Sequence, residues 1–97
     1  MRLSNEQMES LRAYFVTQPV LSAYLFGSYA RGEADDKSDV DILVDLDRSV
    51  SFGLGFFGMV GDLQELLGRP VDVVTRESLS PHVAPYVTKD LLRIYAR

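Results

Sequence analysis

The sequence predicts a small α/β protein, an α+β arrangement in which helices flank a mixed β-sheet of three or more strands. Three short apolar runs, at 20–26, 39–46 and 71–75, have the length of buried strands. Segments with helical spacing of apolar residues lie before, between and after these runs. Because 97 residues are enough for one modest core, we predict a single domain over 1–97.

A capping box predicts where the first helix begins. Ser4 is the expected N-cap, and Gln7 lies three residues further on. Apolar residues then recur at helical spacing, and the helix ends before Pro19. The predicted buried face of this helix consists of Met8, Leu11, Tyr14 and Phe15.

The run at 20–26 is almost wholly apolar, which predicts a strand covered on both faces. Gly27 and Ser28 follow it as a tight turn, and 29–31 is expected to begin a short helix. The charged segment 33–37 is predicted to be a loop.

The second half predicts two strands and two helices. A strand over 39–46 precedes a helix that begins near Phe52 and stops at Gly68. The third strand covers 71–75, and a last helix is expected from Pro81 onward, with a break or a fresh start at Pro85. The apolar positions used are Phe56, Met59, Val60, Leu63, Leu66 and Leu67 in the first helix and Val83, Val87, Leu91, Ile94 and Tyr95 in the last.

Composition disfavours several classes of protein. The net charge is −4 and the ten lysines and arginines are scattered, so a long nucleic-acid partner is not expected, whereas a small nucleotide is. There is no cysteine for a disulfide or a thiolate metal site. With no long apolar run and no signal-peptide pattern, we predict a cytoplasmic protein without a membrane partner. The sequence leaves homo-oligomerisation open.

Two aspartates on one strand are the first candidates for chemistry. Asp39 and Asp41 point to the same side because side chains alternate along a strand that rises about 3.3 Å per residue. Asp72 lies within an apolar run, where a carboxylate is unusual. If their strands are neighbours, the three carboxylates form one cluster that can hold two Mg²⁺ ions, with Mn²⁺ as the alternative. The structural alternative for Asp72 is a surface aspartate on an edge strand.

The turn before this strand is a candidate phosphate site. Gly27 allows a phosphate to approach the backbone closely, and Ser28 adds a hydroxyl donor. Arg31 is either a phosphate ligand or a solubilising surface residue, and Ser38 is expected to brace the start of the strand beside the nucleotide.

Other polar residues are assigned to solvent. Asp45 is expected to be solvated, and 35–37 to be a charged loop. His82 is the single histidine, which excludes a histidine-based metal site. The glycine-rich segment 52–61 is either a surface for docking a partner or a loosely packed helix, and the sequence does not decide between them.

Together these motifs resemble the DNA polymerase β-like nucleotidyltransferase superfamily. Its signature is Gly-Ser, about ten residues, Asp-x-Asp and a later Asp, here Gly27, Ser28, Asp39, Asp41 and Asp72. Within it, the stretch Gly-Ser-Tyr-Ala-Arg-Gly at 27–32 is similar to that of the minimal nucleotidyltransferases (MNT proteins), which act as antitoxins of HEPN-domain toxins. The likeness spans nearly the whole chain and departs at position 29, where tyrosine replaces a frequent arginine.

The resemblance implies a nucleotidyltransferase fold and an active enzyme. It further implies ATP as substrate, Mg²⁺ bound by the three aspartates, and adenylylation of a tyrosine on a partner HEPN toxin, so that the protein acts as an antitoxin. Two alternatives remain: a binding antitoxin that occludes its partner without catalysis, and nucleotidyl transfer to a small molecule. The sequence does not identify the acceptor or the preferred base.

Overall fold

The computed structural model describes residues 1–50 and 55–97, with side chains from residue 58 onward in the second range. The helices are α1 (Asn5–Val16), α2 (Gly27–Arg31), α3 (Gly55–Leu67) and α4 (Ala84–Thr88), with a 3₁₀ turn at Arg76–Ser78. The strands are β1 (Val20–Phe26), β2 (Val40–Leu46), β3 (Val71–Thr75) and β4 (Leu92–Ala96). No helix in this part of the chain is long and apolar enough to cross a membrane.

The strands of the described chain form one mixed sheet in the order β3-β2-β1-β4. β1 runs antiparallel to β2 on one side and to β4 on the other. β2 and β3 are parallel, so they need a long crossover connection, and α3 lies within it. The predicted α/β class with a mixed sheet of three or more strands is confirmed.

The first helix follows its sequence signals. The Ser4 hydroxyl accepts a hydrogen bond from the Gln7 N–H at 3.1 Å, and the Gln7 side chain accepts one from the Ser4 N–H at 2.8 Å. This reciprocal pair satisfies two backbone donors that the helix itself leaves free. Leu11 and Phe15 are fully buried against the sheet, as their spacing predicts.

The core lies on both faces of the sheet, but unequally. On one face, Val40, Ile42 and Val44 of β2 pack with apolar residues of α1 and α3, which include Leu11, Phe15, Met59 and Leu63. On the other face, Phe26, Leu43 and Val87 form a smaller cluster, joined by Leu91 among others. The second cluster belongs to the face that carries Asp41, so α4 partly covers the sheet beside the aspartates.

The predicted C-terminal helix is wrong beyond Thr88. The helix covers Ala84–Thr88, with Pro85 in its first turn, which confirms the fresh start expected there. The chain then forms β4, which pairs with the edge of β1 that β2 leaves free. Since β1 is largely apolar, an unpaired edge there would be exposed to other chains. Leu91 and Ile94 were expected on one helical side but pack in the two separate clusters.

Smaller differences concern the third helix. Met59, Leu63 and Leu67 are buried, whereas Leu66 is 36% exposed and does not belong to the core as predicted. Gly68 has a φ of +69°, which fits the predicted C-terminal stop. The predicted helix start near Phe52 and the predicted burial of the Phe56 side chain lie outside the described residues, as do the other side chains of 52–57 in the glycine-rich segment.

Candidate active site

The strand register brings Asp41 and Asp72 together. Asp41 of β2 is directly opposite Asp72 of the parallel strand β3, and on its other side it pairs with Phe26 of β1. Directly opposed residues of neighbouring strands point to the same face. Asp39 lies two residues before Asp41, at the entrance to β2, which begins one residue later than predicted. The neighbouring strands required for a three-carboxylate cluster are therefore present.

Gly27 gives the Asp41 carboxylate its space. It follows Phe26 directly and has a φ of +68°, a conformation that favours glycine. A Cβ atom added at Gly27 would lie 2.5 Å from Asp41 Oδ2, well inside van der Waals contact. The glycine of the turn is thus a structural requirement of the carboxylate beside it. Ser28 is half-buried in the first turn of α2.

The electrostatics of the cluster act on Asp41. Its pKa is raised from 3.8 to about 6, mainly because burial disfavours the charged carboxylate. Repulsion from Asp72 and then from Asp39 raises this pKa further, while the positive charge of Arg31 lowers it. Four of the sequence-predicted residues are thus close enough to interact through their charges.

Arg31 ends α2 between two carboxylates. Its Nε donates to Glu33 Oε2 at 3.0 Å, and its Nη1 donates to Asp90 Oδ2 at 3.2 Å. Both ion pairs raise the pKa of the guanidinium, with the Glu33 hydrogen bond as the larger cause. Arg31 is four residues after Gly27, one helical turn away, and so lies on the same side of α2.

Ser38 braces the loop that leads into β2. Its hydroxyl accepts a hydrogen bond from the Asp35 N–H at 2.9 Å and donates one to Asp35 Oδ1 at 3.2 Å. The hydroxyl therefore acts on the backbone that carries Asp39. A contact between Ser38 and a nucleotide stays a prediction.

Asp45 differs from its sequence interpretation, and Tyr29 has a structural role that the sequence did not predict. Asp45 is not a solvated side chain: its two oxygens accept hydrogen bonds from Arg76 Nε at 2.9 Å and from Ser22 Oγ at 3.0 Å. Tyr29 is only 2% exposed and belongs to the larger core cluster, with the Arg69 guanidinium 5.5 Å from its ring centroid. Position 29 therefore serves the core rather than the carboxylates.

Sequence reasoning missed Asp90. This residue lies between α4 and β4, and the helix predicted to continue after Pro85 gave no reason to bring it near 27–31. An available signal was the apolar character of β1 on both faces, which is typical of an interior strand of a sheet. An interior strand has a neighbour at each edge, so β1 should pair with a further strand besides β2. Such a strand, drawn from the chain end, would have carried the preceding residues to the end of α2.

The three aspartates form an open cluster. Among residues 1–50 and 55–97, no three or more acidic, histidine or cysteine side chains already converge into a group that could hold a metal ion. Asp39 and Asp72 are exposed, whereas Asp41 is half-buried. Exposed side chains change rotamer on fast timescales, so the outer two carboxylates are the adjustable members of the cluster.

Comparison with known proteins agrees with this geometry. A model of the nucleotidyltransferase domain matches residues 6–94, nearly the whole chain. The chain belongs to the nucleotidyltransferase domain family. This family assignment confirms the resemblance drawn from the Gly-Ser and Asp-x-Asp motifs, and it makes nucleotidyl transfer the class of reaction.

Relatives within this family include an adenylyltransferase. Protein adenylyltransferase MntA of Thermococcus cleftensis is 43% identical over 70 residues, which cover 72% of this chain and 70% of that protein.

Solved structures of nucleotidyltransferases share the fold. A protein described provisionally as a minimal nucleotidyltransferase superposes with a TM-score of 0.75 and 29% identity, over 90% of this chain and 88% of that chain. A chain from the complex of a tri-AMPylated Shewanella oneidensis HEPN toxin with an MNT antitoxin gives a TM-score of 0.70. That chain is 18% identical, and the match covers 98% of this chain and 74% of the other, so it supports the fold alone.

Proposed function

We propose that this protein transfers AMP from ATP to a tyrosine hydroxyl of a partner HEPN toxin and thereby acts as its antitoxin. The observation that carries the chemistry is the register of Asp41 opposite Asp72, beside a glycine that leaves room for the Asp41 carboxylate. Because these groups come from β2, β3 and the first residue of α2, the fold itself assembles them. A nucleotide site at this end of the sheet follows.

The donor set suits divalent cations. Asp41 is held beside two like charges, and the resulting repulsion is what a bound cation relieves. Carboxylate oxygens are the ligands that Mg²⁺ prefers, with Mn²⁺ as the alternative. Asp39 and Asp41 would hold both ions and Asp72 one of them, after rotation of the exposed Asp39 and Asp72 side chains. Bound there, the metal pair neutralises charge on the triphosphate and on the attacking oxygen.

The remaining residues bind and orient the substrate. The Gly27 backbone and the Ser28 hydroxyl receive a phosphate, and Arg31 supplies a positive charge one helical turn away. The acceptor hydroxyl attacks the α-phosphorus, a new oxygen–phosphorus bond forms, and pyrophosphate leaves. We assign to Asp72 the role of accepting the proton of that hydroxyl, and its exposure, in contrast to the half-buried Asp41, supports this assignment.

The partner is inferred from the named relatives. One relative is named a protein adenylyltransferase, and a structure with the same fold is a complex that contains an AMPylated HEPN toxin. A protein hydroxyl of the HEPN class is therefore a better-supported acceptor than a small molecule. Tyrosine offers a phenolic hydroxyl with a pKa of about 10, which a carboxylate base and a metal can activate.

Labelled ATP tests this proposal directly. The purified protein and a HEPN partner are incubated with ATP labelled on the α-phosphate and with Mg²⁺, and protein labelling is followed on a gel and by mass spectrometry. We expect labelling of a partner tyrosine by the wild type. Asp39→Asn and Asp41→Asn should lower the rate at least about 100-fold, because each removes a ligand of the metal pair.

The matched control is Asp36→Asn, which changes an exposed aspartate of the preceding loop. It should label the partner like the wild type. Equal labelling by all four proteins would reject the proposed site, and protection of cells by the Asp39 and Asp41 variants would favour occlusion of the toxin without catalysis.

A further inference from the structure

The position of Arg31 depends on a residue from the far end of the chain. Asp90 is 59 residues away in sequence, and its Oδ2 accepts a hydrogen bond from Arg31 Nη1 at 3.2 Å. The Asp90 side chain is 22% exposed, compared with 66% for Glu33, the other carboxylate on the same guanidinium. Of the two partners, Asp90 is therefore the better shielded from solvent.

The backbone around Asp90 is fixed on both sides. Before Asp90, Val87 is buried in the cluster with Phe26 and Leu43. After Asp90, Leu91 packs against the same cluster, and Leu92 pairs with Leu25 of β1. A carboxylate between two anchored residues loses little freedom when it holds a partner, so it can orient that partner well. The backbone of Glu33 is also anchored, since its N–H donates to the Ser28 carbonyl at 2.9 Å and Ala34 after it is buried in the larger core cluster. The two carboxylates therefore differ in side-chain exposure, and the shielded one is Asp90.

Arg31 in turn belongs to the short helix that begins beside Asp41. This helix, α2, runs from Gly27 to Arg31, and the Cβ position of Gly27 is 2.5 Å from Asp41 Oδ2, so Arg31 lies one helical turn from the proposed nucleotide site. Nη1 and Nε are used by Asp90 and Glu33, and the planar guanidinium has further N–H donors. An arginine held in this way can present those donors to phosphate oxygens without searching for its orientation.

We propose that Asp90 is a positioning residue that holds Arg31 for the triphosphate of the substrate. This inference builds on the proposed function, because it requires a nucleoside triphosphate beside Gly27 and Asp41. It assigns a role in substrate binding to the junction of α4 and β4. It also predicts that Asp90 acts only through Arg31.

A double-mutant cycle with two readouts tests the inference. Affinity for ATP is measured by calorimetry with Mg²⁺, and KM and kcat are measured in the labelling assay. Asp90→Ala should weaken ATP binding and raise KM about tenfold, the scale of one charge-assisted hydrogen bond, with kcat changed less than about twofold. Arg31→Ala should have at least as large an effect, and Asp90→Ala should add nothing further in the Arg31→Ala background.

Glu33→Ala is the matched control, since Glu33 contacts the same guanidinium from the exposed side. It should leave ATP affinity within about twofold of the wild type. Thermal melting checks that each variant is folded, and Asp90→Asn, which keeps the side-chain shape, replaces Asp90→Ala if the latter melts below the assay temperature.

Three results would overturn the inference. Unchanged ATP binding by Asp90→Ala would show that Asp90 has no role in binding, and tighter binding would show that its charge repels the substrate. If Asp90→Ala lowered ATP affinity equally in the wild-type and Arg31→Ala backgrounds, Asp90 would act by a route other than Arg31. If Glu33→Ala lost as much ATP affinity as Asp90→Ala, the cause would be a general effect of negative charge near Arg31. Failure of the wild type to bind ATP would instead overturn the proposed function together with this inference, so the two failures are distinguishable.

Discussion

Gly27 links the backbone of the turn to the charge of the site. Its φ of +68° lies in the left-handed region, and a Cβ atom added to it would lie only 2.5 Å from Asp41 Oδ2. A larger residue here must strain the backbone and displace the carboxylate. The sequence motif Gly-Ser was interpreted as a phosphate turn, and the structure adds this second reason for the glycine.

Replacement of Gly27 by alanine separates these two effects. We expect Gly27→Ala to lower the free energy of unfolding by about 2 kcal/mol, about 1 kcal/mol from the left-handed backbone and the rest from the contact with Asp41. Nucleotidyl transfer should fall at least about tenfold, since small displacements of catalytic groups are costly. Chemical denaturation and the labelling assay measure the two quantities.

Gly68 supplies the control for this change. Its φ of +69° is nearly the same, but an added Cβ would have no neighbouring atom within 4 Å. Gly68→Ala should cost only the backbone contribution, about 1 kcal/mol, and should keep full activity. If both alanine variants lost the same stability and activity, the contact with Asp41 would have no role.

At the residue level, the sequence identified the charged cluster but not the details of its surroundings. Asp39, Asp41 and Asp72 were predicted from parity and apolar context, and their neighbouring strands are confirmed. The roles of Asp45 and Asp90 depend on partners far away in sequence, which no local pattern contains. Long-range ion pairs are determined by the tertiary fold, so sequence spacing alone could not predict them.

The secondary-structure elements differ in how far their own sequence determines them. α1 has a complete capping box, and β1 and β3 begin and end at the predicted residues. β4 was predicted as a helix because Val87, Leu91 and Ile94 fit helical spacing. Short apolar segments satisfy both periods, and here pairing with the free edge of β1 decides for a strand.

Ile94 tests the assignment of β4 as a sheet strand of the core. It is 2% exposed and belongs to the larger cluster, on the opposite side of the sheet from Leu91. We expect Ile94→Ala to lower the free energy of unfolding by about 2–4 kcal/mol, through lost contacts and a cavity. Urea denaturation of the intact chain measures this loss.

The neighbouring residue gives the contrast. Arg93 is exposed on the same strand, so Arg93→Ala should change stability by less than about 0.5 kcal/mol. Hydrogen exchange should also show slow amide exchange where β4 pairs with β1. A stable Ile94→Ala protein, or fast exchange throughout 92–96, would contradict the strand.

On the scale of the whole molecule, the candidate site opposes folding stability. Asp41 has a pKa of about 6 in the folded chain and 3.8 as its ordinary value, so the folded state binds a proton that the unfolded state releases. Protonation of Asp41 therefore stabilises the folded state. This stabilisation is complete below about pH 4 and is lost as the pH rises through about 6. Near neutral pH, the apo-protein therefore carries an unrelieved charge at the proposed metal site.

Asp41→Asn should consequently stabilise the protein without metal at pH 7.5. We expect a gain of about 1 kcal/mol, reduced from the full shift because solvent screens a half-buried carboxylate. The gain should shrink toward zero as the pH falls from about 6 to about 4, because the protonated Asp41 carboxyl of the wild type is then neutral, like the asparagine amide. Asp36→Asn, which removes an exposed carboxylate of the loop before β2, is the charge-matched control.

Magnesium should reverse the order of the two proteins. Metal that binds only the folded state raises its stability with concentration, and binding requires the ionised carboxylate. Melting temperature measured against Mg²⁺ should therefore rise for the wild type at pH 7.5, rise little at pH 5, and stay nearly constant for Asp41→Asn at both values. A magnesium response in Asp41→Asn equal to that of the wild type would place the ions elsewhere, and the destabilising charge of Asp41 would then need another explanation than metal binding.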